Sequence, residues 1–377
     1  MTALTVPLLP FIRDEFTLDY TRAGFVIAAF NLVYGLSQVP AGWLADRIAP
    51  RILVTIGICG VAVTGFLVGI SHTYIMLLVF LVLMGLLGGG YHPASTAMIS
   101  ASVKPKSLGQ ALGFHMMGGS ASYFLAPLIA AGIAATLGWR GSFIALTIPT
   151  MALGILLHVL LRRRMPTGKA RPQTISDYAK TQATPGRRRR WISLVVLSSF
   201  NQAMLMSIVS FVPLFLVDYF GTGKELAAAS ISLVYFMGLW AGPLGGYLSD
   251  RLGRVPIMLA MCFLGGTVIY LLTVAPYPIG LVAILVIFGI IIYFNTTVSQ
   301  AYIVDQISER HRSTALGFYF FGNMEGSGVL TPVLGYLIDK LGFHPSFIIA
   351  GIALIALTLA CSLFLWVSRE RSSRNYP

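Results

Sequence analysis

The 377-residue chain is 56% hydrophobic and only 10% charged, with a mean hydropathy of +0.81, whereas an ordinary soluble domain carries about 25% charged residues. That balance excludes a water-soluble globule and makes the bilayer the solvent. The net charge of +13 would suit nucleic acid as a partner, but its distribution along the chain assigns it to membrane topology instead.

A spanning helix needs about 20 mostly apolar residues, and twelve such spans are predicted. They run over 1–13, 21–45, 52–71, 74–100, 107–136, 141–161, 191–218, 226–249, 255–275, 277–304, 313–338 and 343–367. The first is short. Met1 to Phe11 is apolar, but Arg13, Asp14 and Glu15 follow at once. No basic stretch and no small-residue cleavage site precedes that cluster, so a span lacking its N-terminal half is expected rather than a cleaved signal peptide.

Residues 1–161 form a first six-span bundle and 191–377 a second with a short tail. Between them, 162–190 is rich in Arg, Pro, Thr and Gln and reads as a linker. If Arg47 and Arg51 face the cytoplasm, 21 of the 26 Lys and Arg residues fall on that side. The other five are Arg13, Arg22, Arg140, Lys224 and Lys340. Cytoplasmic loops are enriched in basic residues, so the bias supports the span count and predicts a cytoplasmic C-terminus. The run Arg187 to Arg190 abuts span 7 on the same side and needs no nucleic acid to explain it. Cys59, Cys262 and Cys361 lie far apart in apolar spans, with no metal or disulfide spacing.

The two bundles repeat one another. Gly42-Trp-Leu-Ala-Asp46-Arg47-Ile-Ala-Pro-Arg51 closes span 2, and Gly246-Tyr-Leu-Ser-Asp250-Arg251-Leu-Gly253-Arg254 closes span 8, with the aspartates 204 positions apart. The same offset carries Ala111-Leu-Gly113-Phe114 onto Ala315-Leu-Gly317-Phe318. Two landmarks sharing one offset imply parallel repeats with a binding site between them near the midplane.

The G-x-x-x-D-R-x-G-R loop resembles the signature of the major facilitator superfamily of secondary carriers, and the resemblance covers nearly the whole chain. It implies an all-α membrane fold of twelve helices in two parallel six-helix repeats, working by alternating access. It also implies that Asp46, Arg47, Asp250 and Arg251 act in gating, and that the cysteine-bearing spans 3, 9 and 12 are peripheral. The first copy departs from the pattern, with Ala49 and Pro50 where a glycine and a basic residue are usual.

In spans 4 and 5, Gly88-Gly-Gly-Tyr91-His92-Pro93-Ala-Ser95, then Leu108-Gly109 through Gly113, His115 and Gly118-Gly119, then Gly138-Trp139-Arg140, is similar to the fosmidomycin-resistance-like branch. That branch holds proton-coupled exporters and carriers of small organic compounds, including exporters of a phosphonate antibiotic. The glycine pattern of exporters in span 5 is degenerate here (Gly113, Ser122, Ala126-Pro127, Ala130-Ala131), and span 4 lacks the buried arginine of many drug–proton antiporters.

An ionisable side chain within a bilayer costs at least about 2.5 kcal/mol, so each is a functional candidate. Glu325 lies twelve residues into span 11, about 18 Å at a rise of ~1.5 Å per residue. It is the expected proton-coupling group, and His92 and His115, whose imidazoles titrate near neutrality, are its expected associates. On the spans that line the cavity in the resembled fold stand Asn31, Tyr34, Gln38, Tyr91, His92, Asn201, Gln202, Asn295, Gln300 and Asn323, the expected substrate-binding set. No Lys or Arg lies deep in a complete span, which favours a neutral, weakly charged or amphipathic substrate.

The expected function is proton-coupled secondary transport of a small organic molecule, with export favoured. Uptake of an organic acid or nutrient by proton symport is the alternative, and a non-transporting membrane receptor or scaffold is the alternative of another class. An ATP-driven pump is disfavoured because G-x-x-x-x-G-K-[ST] is absent from the sequence, and the loops hold no nucleophile, base and orienter set for an enzyme. The expected partners are the substrate, protons or another coupling ion, and the lipid bilayer. No cofactor, metal or nucleic acid is expected, and the chain should act as a monomer at the cell membrane.

Overall fold

The structure, a computed structural model, describes residues 1–45, 48–103, 108–164, 185–306 and 309–374, and within these the side chains of 39, 42, 43, 45, 97, 100, 101, 108–110, 112, 113, 116, 164, 185–190, 304, 309–318, 320, 323–325 and 366–374 are outside the description. The described residues are helical in all thirteen elements: α1 (Leu9–Glu15), α2 (Tyr20–Ala45), α3 (Pro50–Gly69), α4 (Tyr74–Gly88), α5 (Tyr91–Ser102), α6 (Leu108–Arg164), α7 (Pro185–Phe220), α8 (Lys224–Phe236), α9 (Ala241–Leu252), α10 (Arg254–Val274), α11 (Ile279–Gln306), α12 (Glu309–Leu341) and α13 (Phe343–Arg374). A multi-pass all-α architecture follows, because backbone polar groups in hydrocarbon must be satisfied within the segment.

Thirteen helices make about twelve spans by three local departures from straightness. Spans 5 and 6 join without a loop in α6, where Gly138 alone is non-helical, at φ +70° and ψ 174°. Span 4 breaks between α4 and α5, and span 8 between α8 and α9, across a single 3-10 turn at Met237–Leu239 bent by 42°. Helix α7 starts at Pro185, within the stretch read from sequence as linker.

The repeat sets the packing. Helix α2 lies along α12 and the first part of α6 along α8, so each half contributes one seam to the other. Glycine permits the α2–α12 approach, since a Cβ at Gly24 would lie 2.8 Å from the Cα of Pro332, and one at Gly328 would lie 2.6 Å from Leu32. Inside each half, the core is aliphatic and aromatic: Leu77, Leu81 and Phe143 in the first, Phe211, Phe215, Phe288 and Phe347 in the second, all fully buried. The segment before α1 is buried as well, with Leu4 and Leu8 inaccessible.

Candidate functional site

The site grows from a close crossing of α2 and α4. A Cβ on Gly85 would stand 2.7 Å from the carbonyl oxygen of Phe30 and 2.9 Å from the amide of Tyr34, so only glycine lets these backbones touch. Ser37 reinforces the crossing by donating its hydroxyl to the Gly85 carbonyl at 3.1 Å. Immediately beyond, Pro93 supplies no N–H to the carbonyl one turn back, which loosens the ladder between α4 and α5. The first turn of α5, carrying Tyr91 and His92, is thereby set against α2 and the start of α6.

Four residues singled out in the sequence meet there. The rings of Tyr34 and His92 are 6.3 Å apart, those of Tyr91 and His92 5.5 Å, those of Tyr91 and His115 5.9 Å, and the two imidazoles 6.4 Å. Ser95 accepts or donates a 3.4 Å hydrogen bond with Nε2 of His115, and its hydroxyl also reaches the His92 carbonyl at 3.1 Å. Two imidazoles, two phenols and a hydroxyl from three helices therefore form one wall of touching side chains.

A tyrosine bridge between the halves adjoins this wall and was not foreseen in the sequence. Tyr123 of α6 packs on Tyr235 of α8 with ring centroids 5.2 Å apart, and Phe124 on Phe236 at 5.3 Å. Tyr123 is within electrostatic reach of Tyr34, Tyr235 and Tyr293. Tyr293 of α11 lies over Gly238, in the broken turn of span 8. The usable signal was depth: tyrosine normally gathers at the membrane interfaces, whereas Tyr235 is eleven residues into α8, about 16 Å from its start.

The amides of the second half are placed differently. Asn295 is fully buried and ties helices together, accepting from Ser198 Oγ at 3.2 Å and donating Nδ2 to the Ser198 carbonyl at 3.3 Å. Asn201 is also fully buried, packed against Gly265 of α10, and its amide atoms, like Oε1 of Gln202, have no partner among the described residues. Asn31 donates to Ser327 Oγ at 3.4 Å and so crosses between halves, while Gln38 and Gln300 are half-buried. Asn323 and Glu325 fall on α12, but their side chains lie outside the described residues, as do Asp46 and Arg47 entirely.

At the linker end of the second half, Asp250 pairs with Arg254 at 2.6 Å, and the same guanidinium reaches Asp305 at 3.1 Å and Ser249 Oγ at 2.6 Å. Arg251 instead covers the ring of Tyr247 at 4.5 Å, so the charge partner of Asp250 is Arg254. The turn needs Gly253, whose φ of +93° is unfavourable for any residue with a Cβ. In the first copy Ala49, at the place of Gly253, sits at φ −57° and Pro50 opens α3, so that position needs no glycine.

The end away from the linker is cross-tied. Arg13 grips Asp218 in a fork of two 2.7 Å bonds, and Tyr20 donates its hydroxyl to the same carboxylate at 2.7 Å. Asp339 of α12 accepts the backbone amides of Tyr20 and Thr21 at 2.8 and 2.9 Å, capping α2 from the opposite half. Lys224 pairs with Asp14, and Arg140 and Trp139 hold Glu15. Burial acts to raise the Asp14 carboxyl, but the Lys224 hydrogen bond and the Arg13 charge outweigh it and hold it below the ordinary carboxylate range. Glu15 is held down in the same way by Arg140 and Trp139. Among the described residues no three His, Cys, Asp or Glu side chains gather into a metal site.

Known proteins share this plan. A probable sulfoacetate transporter, SauU, of Cupriavidus necator is 28% identical over 94% of this chain and 87% of its own length. A cis,cis-muconate transport protein of Acinetobacter baylyi is 24% identical over 94% and 87%. A bacterial homologue of the human lysosomal transporter Spinster, solved in an inward-facing and occupied conformation, matches with a TM-score of 0.78 at 16% identity, over 98% of this chain and 94% of that one. The family described as Major Facilitator Superfamily matches residues 1–242 and again 193–377, and the chain belongs to that superfamily as a multi-pass membrane protein.

Proposed function

We propose that this secondary transporter carries a small organic anion together with a proton, and that the pair His92 and His115 is where the two meet. The observation that carries the reading is the 6.4 Å separation of the imidazoles inside a wall of Tyr34, Tyr91 and Ser95. Two imidazoles so close resist being charged together, and a neighbouring anion favours the charged form. Anion and proton therefore strengthen each other's binding by linkage. With no Lys or Arg deep in the complete spans, a protonated histidine is the cation at hand.

The sequence favoured a neutral or weakly charged substrate, and the histidine pair moves the reading to a small organic anion. Sulfoacetate and cis,cis-muconate, named for two relatives, are of that class. The phosphonate handled in the fosmidomycin-resistance-like branch is as well, so the likeness of spans 4 and 5 to that branch belongs to the same proposal. Glu325 is proposed as the proton acceptor of the second half, sixteen residues into α12. Tyr34, Tyr91 and the Tyr123–Tyr235 bridge supply hydroxyls and stacking faces. By their spans, the amides of Asn31, Gln38, Gln300 and Asn323 are assigned to the substrate wall, the unpartnered amides of Asn201 and Gln202 are further candidates for it, and Asn295 ties α7 to α11.

Coupling in one site gives symport. With the linker and C-terminus in the cytoplasm, as the basic loops favour, an inward proton gradient then drives uptake rather than the export first favoured. The test is flux into proteoliposomes of radiolabelled sulfoacetate, muconate and related acids under an imposed inward proton gradient. Filling is expected, with the proton dependence lost in His115→Gln. Emptying under the same gradient would restore export, and a flux indifferent to both the gradient and the histidines would remove them from the mechanism. Absence of flux with saturable binding would leave the receptor reading.

A further inference from the structure

Span 8 carries three residues that span 2 does not. Leu-Val-Tyr occurs at 32–34 and again at 233–235, yet Tyr34 stands twelve positions before Asp46 and Tyr235 fifteen before Asp250. Helix α2 runs unbroken to Ala45, and span 8 takes up its surplus at the 3-10 turn Met237–Leu239. The 42° bend there sends the two parts of span 8 to different neighbours. Helix α8 and the turn pack along α6, whereas α9 packs on α11. From its own side α9 brings only Ala241, Gly242, Gly245 and Ser249 to that buried contact, so it leaves α11 without unlocking large side chains. Its opposite face, Trp240, Leu244 and Tyr247, is 67%, 57% and 53% exposed.

The linker end of span 5 is bare in the same way. Phe114 and Met117 are 62% and 54% exposed, and a Cβ on the neighbouring Gly118 would have nothing within 4 Å. On the helical wheel Phe114 and Met117 lie opposite His115, which is turned to Ser95 of its own half. Register joins the two bare faces. Helix α8 begins at the far-end tie of Lys224 and the first part of α6 ends at that of Arg140, so the two run antiparallel. They meet at Tyr123–Tyr235 and Phe124–Phe236. Seven residues back from Phe124 is Met117, and eight on from Phe236 is Leu244; ten back is Phe114, and eleven on is Tyr247. The exposed stripes therefore continue a seam that is already made at mid-span. We infer that span 8 closes the linker-side entrance by unbending at the 3-10 turn, which docks Trp240, Leu244 and Tyr247 of α9 on Met117 and Phe114 of α6. Burial of these apolar side chains favours the docked state. The device goes beyond the histidine reading, since it shuts the way past His115 whatever is carried.

The test is oxidation of cysteine pairs in the purified full chain, with the linked peptides counted by mass spectrometry. Met117→Cys with Leu244→Cys, and Phe114→Cys with Tyr247→Cys, are in register, while Phe114→Cys with Trp240→Cys is about 9 Å out of step. Both in-register pairs are expected to join about ten times faster than the staggered pair, because a disulfide tolerates little misalignment. Phe124→Cys with Phe236→Cys, on the seam already made, should join fastest of all and reports a folded chain. Unbending is read by pulsed electron spin resonance between labels attached through p-acetylphenylalanine at the exposed positions 226 and 252. With the 117–244 disulfide formed, that distance should lengthen by about 2–3 Å, the difference between a straight span and one bent by 42°. Absence of a disulfide in the in-register pairs, or equal rates in and out of register, overturns the inference. A disulfide with the 226–252 distance unchanged assigns closure to rocking of whole halves and overturns it too. None of these readouts depends on transport, so they stand apart from the histidine reading.

Discussion

A carboxyl at mid-membrane is charged only at considerable cost, and the role proposed for Glu325 is to alternate between protonated and paired states. Replacing it with Gln keeps volume and hydrogen bonding and removes the titration. The expected outcome is a folded protein that retains substrate exchange between equal pools but loses flux driven by a proton gradient. PH-dependent net transport persisting in Glu325→Gln would exclude the residue. At the α2–α4 crossing the chemistry is steric. Gly85→Val places carbon against the Phe30 carbonyl and the Tyr34 amide, and overpacking of this kind costs about 1–3 kcal/mol. Thermal unfolding should fall, and flux should fall with it, because the displaced α2 carries Tyr34 away from His92.

Turns and helix breaks show how one sequence motif reaches different geometries at equivalent places. Gly253 at φ +93° and Ala49 at φ −57° occupy corresponding loops, so substitutions there should not behave alike. Gly253→Ala forces a Cβ into the left-handed region, at about 1–2 kcal/mol, and loosens the Asp250–Arg254–Asp305 tie. Ala49→Gly should change stability by less than about 1 kcal/mol. A difference between the two in melting temperature checks this, and equal effects would refute the geometric account. This pair also marks the limit of what the residues disclosed. The departures at Ala49 and Pro50 were visible, but that Arg254 and not Arg251 pairs with Asp250 depends on which face of a helix turn each occupies. Likewise His92, His115, Tyr34 and Tyr91 could be nominated by residue type and depth, whereas Tyr123 and Tyr235 become partners only through packing between halves. Asn201 and Asn295 illustrate the converse, since a polar residue within a span looks the same in sequence whether it faces a cavity or a neighbouring helix.

At the scale of the molecule the two halves are held at the end away from the linker by Arg13, Asp218, Tyr20, Lys224, Asp14 and Asp339. Asp218→Asn weakens a bidentate ion pair and should shift the conformational population toward opening at that end. Cysteine probes placed beside Tyr20 should then label faster, by a factor of about 5–10 for a loss near 1–1.4 kcal/mol. Unchanged labelling would show that the fork does not govern closure. Acid tests the same end. Because Asp14, which ties the halves through Lys224, has a depressed carboxyl pKa, its contribution is complete above the ordinary carboxylate range and is lost only as pH falls through the depressed value. Labelling should therefore be flat from neutrality down to about pH 5 and rise below it. The number of spans, their order and the repeat were legible from hydropathy and one offset, since the bilayer imposes them. Which end is closed was not, because Asp218 and Asp339 are ordinary helix-end carboxylates until the opposite half is folded against them.

The capping of α2 by Asp339 has a further consequence. A helix normally carries its own cap, so its first amides stay protected for as long as the helix exists. Here the acceptor for Tyr20 and Thr21 belongs to the other half, and these two amides lose their partners whenever the halves part at that end. Their hydrogen exchange is then a built-in clock for the rocking motion, slow while the far end is shut and faster in proportion to the time it spends open. The alternating cycle can thus be timed on the unlabelled protein, at two peptide bonds, without adding a reporter group.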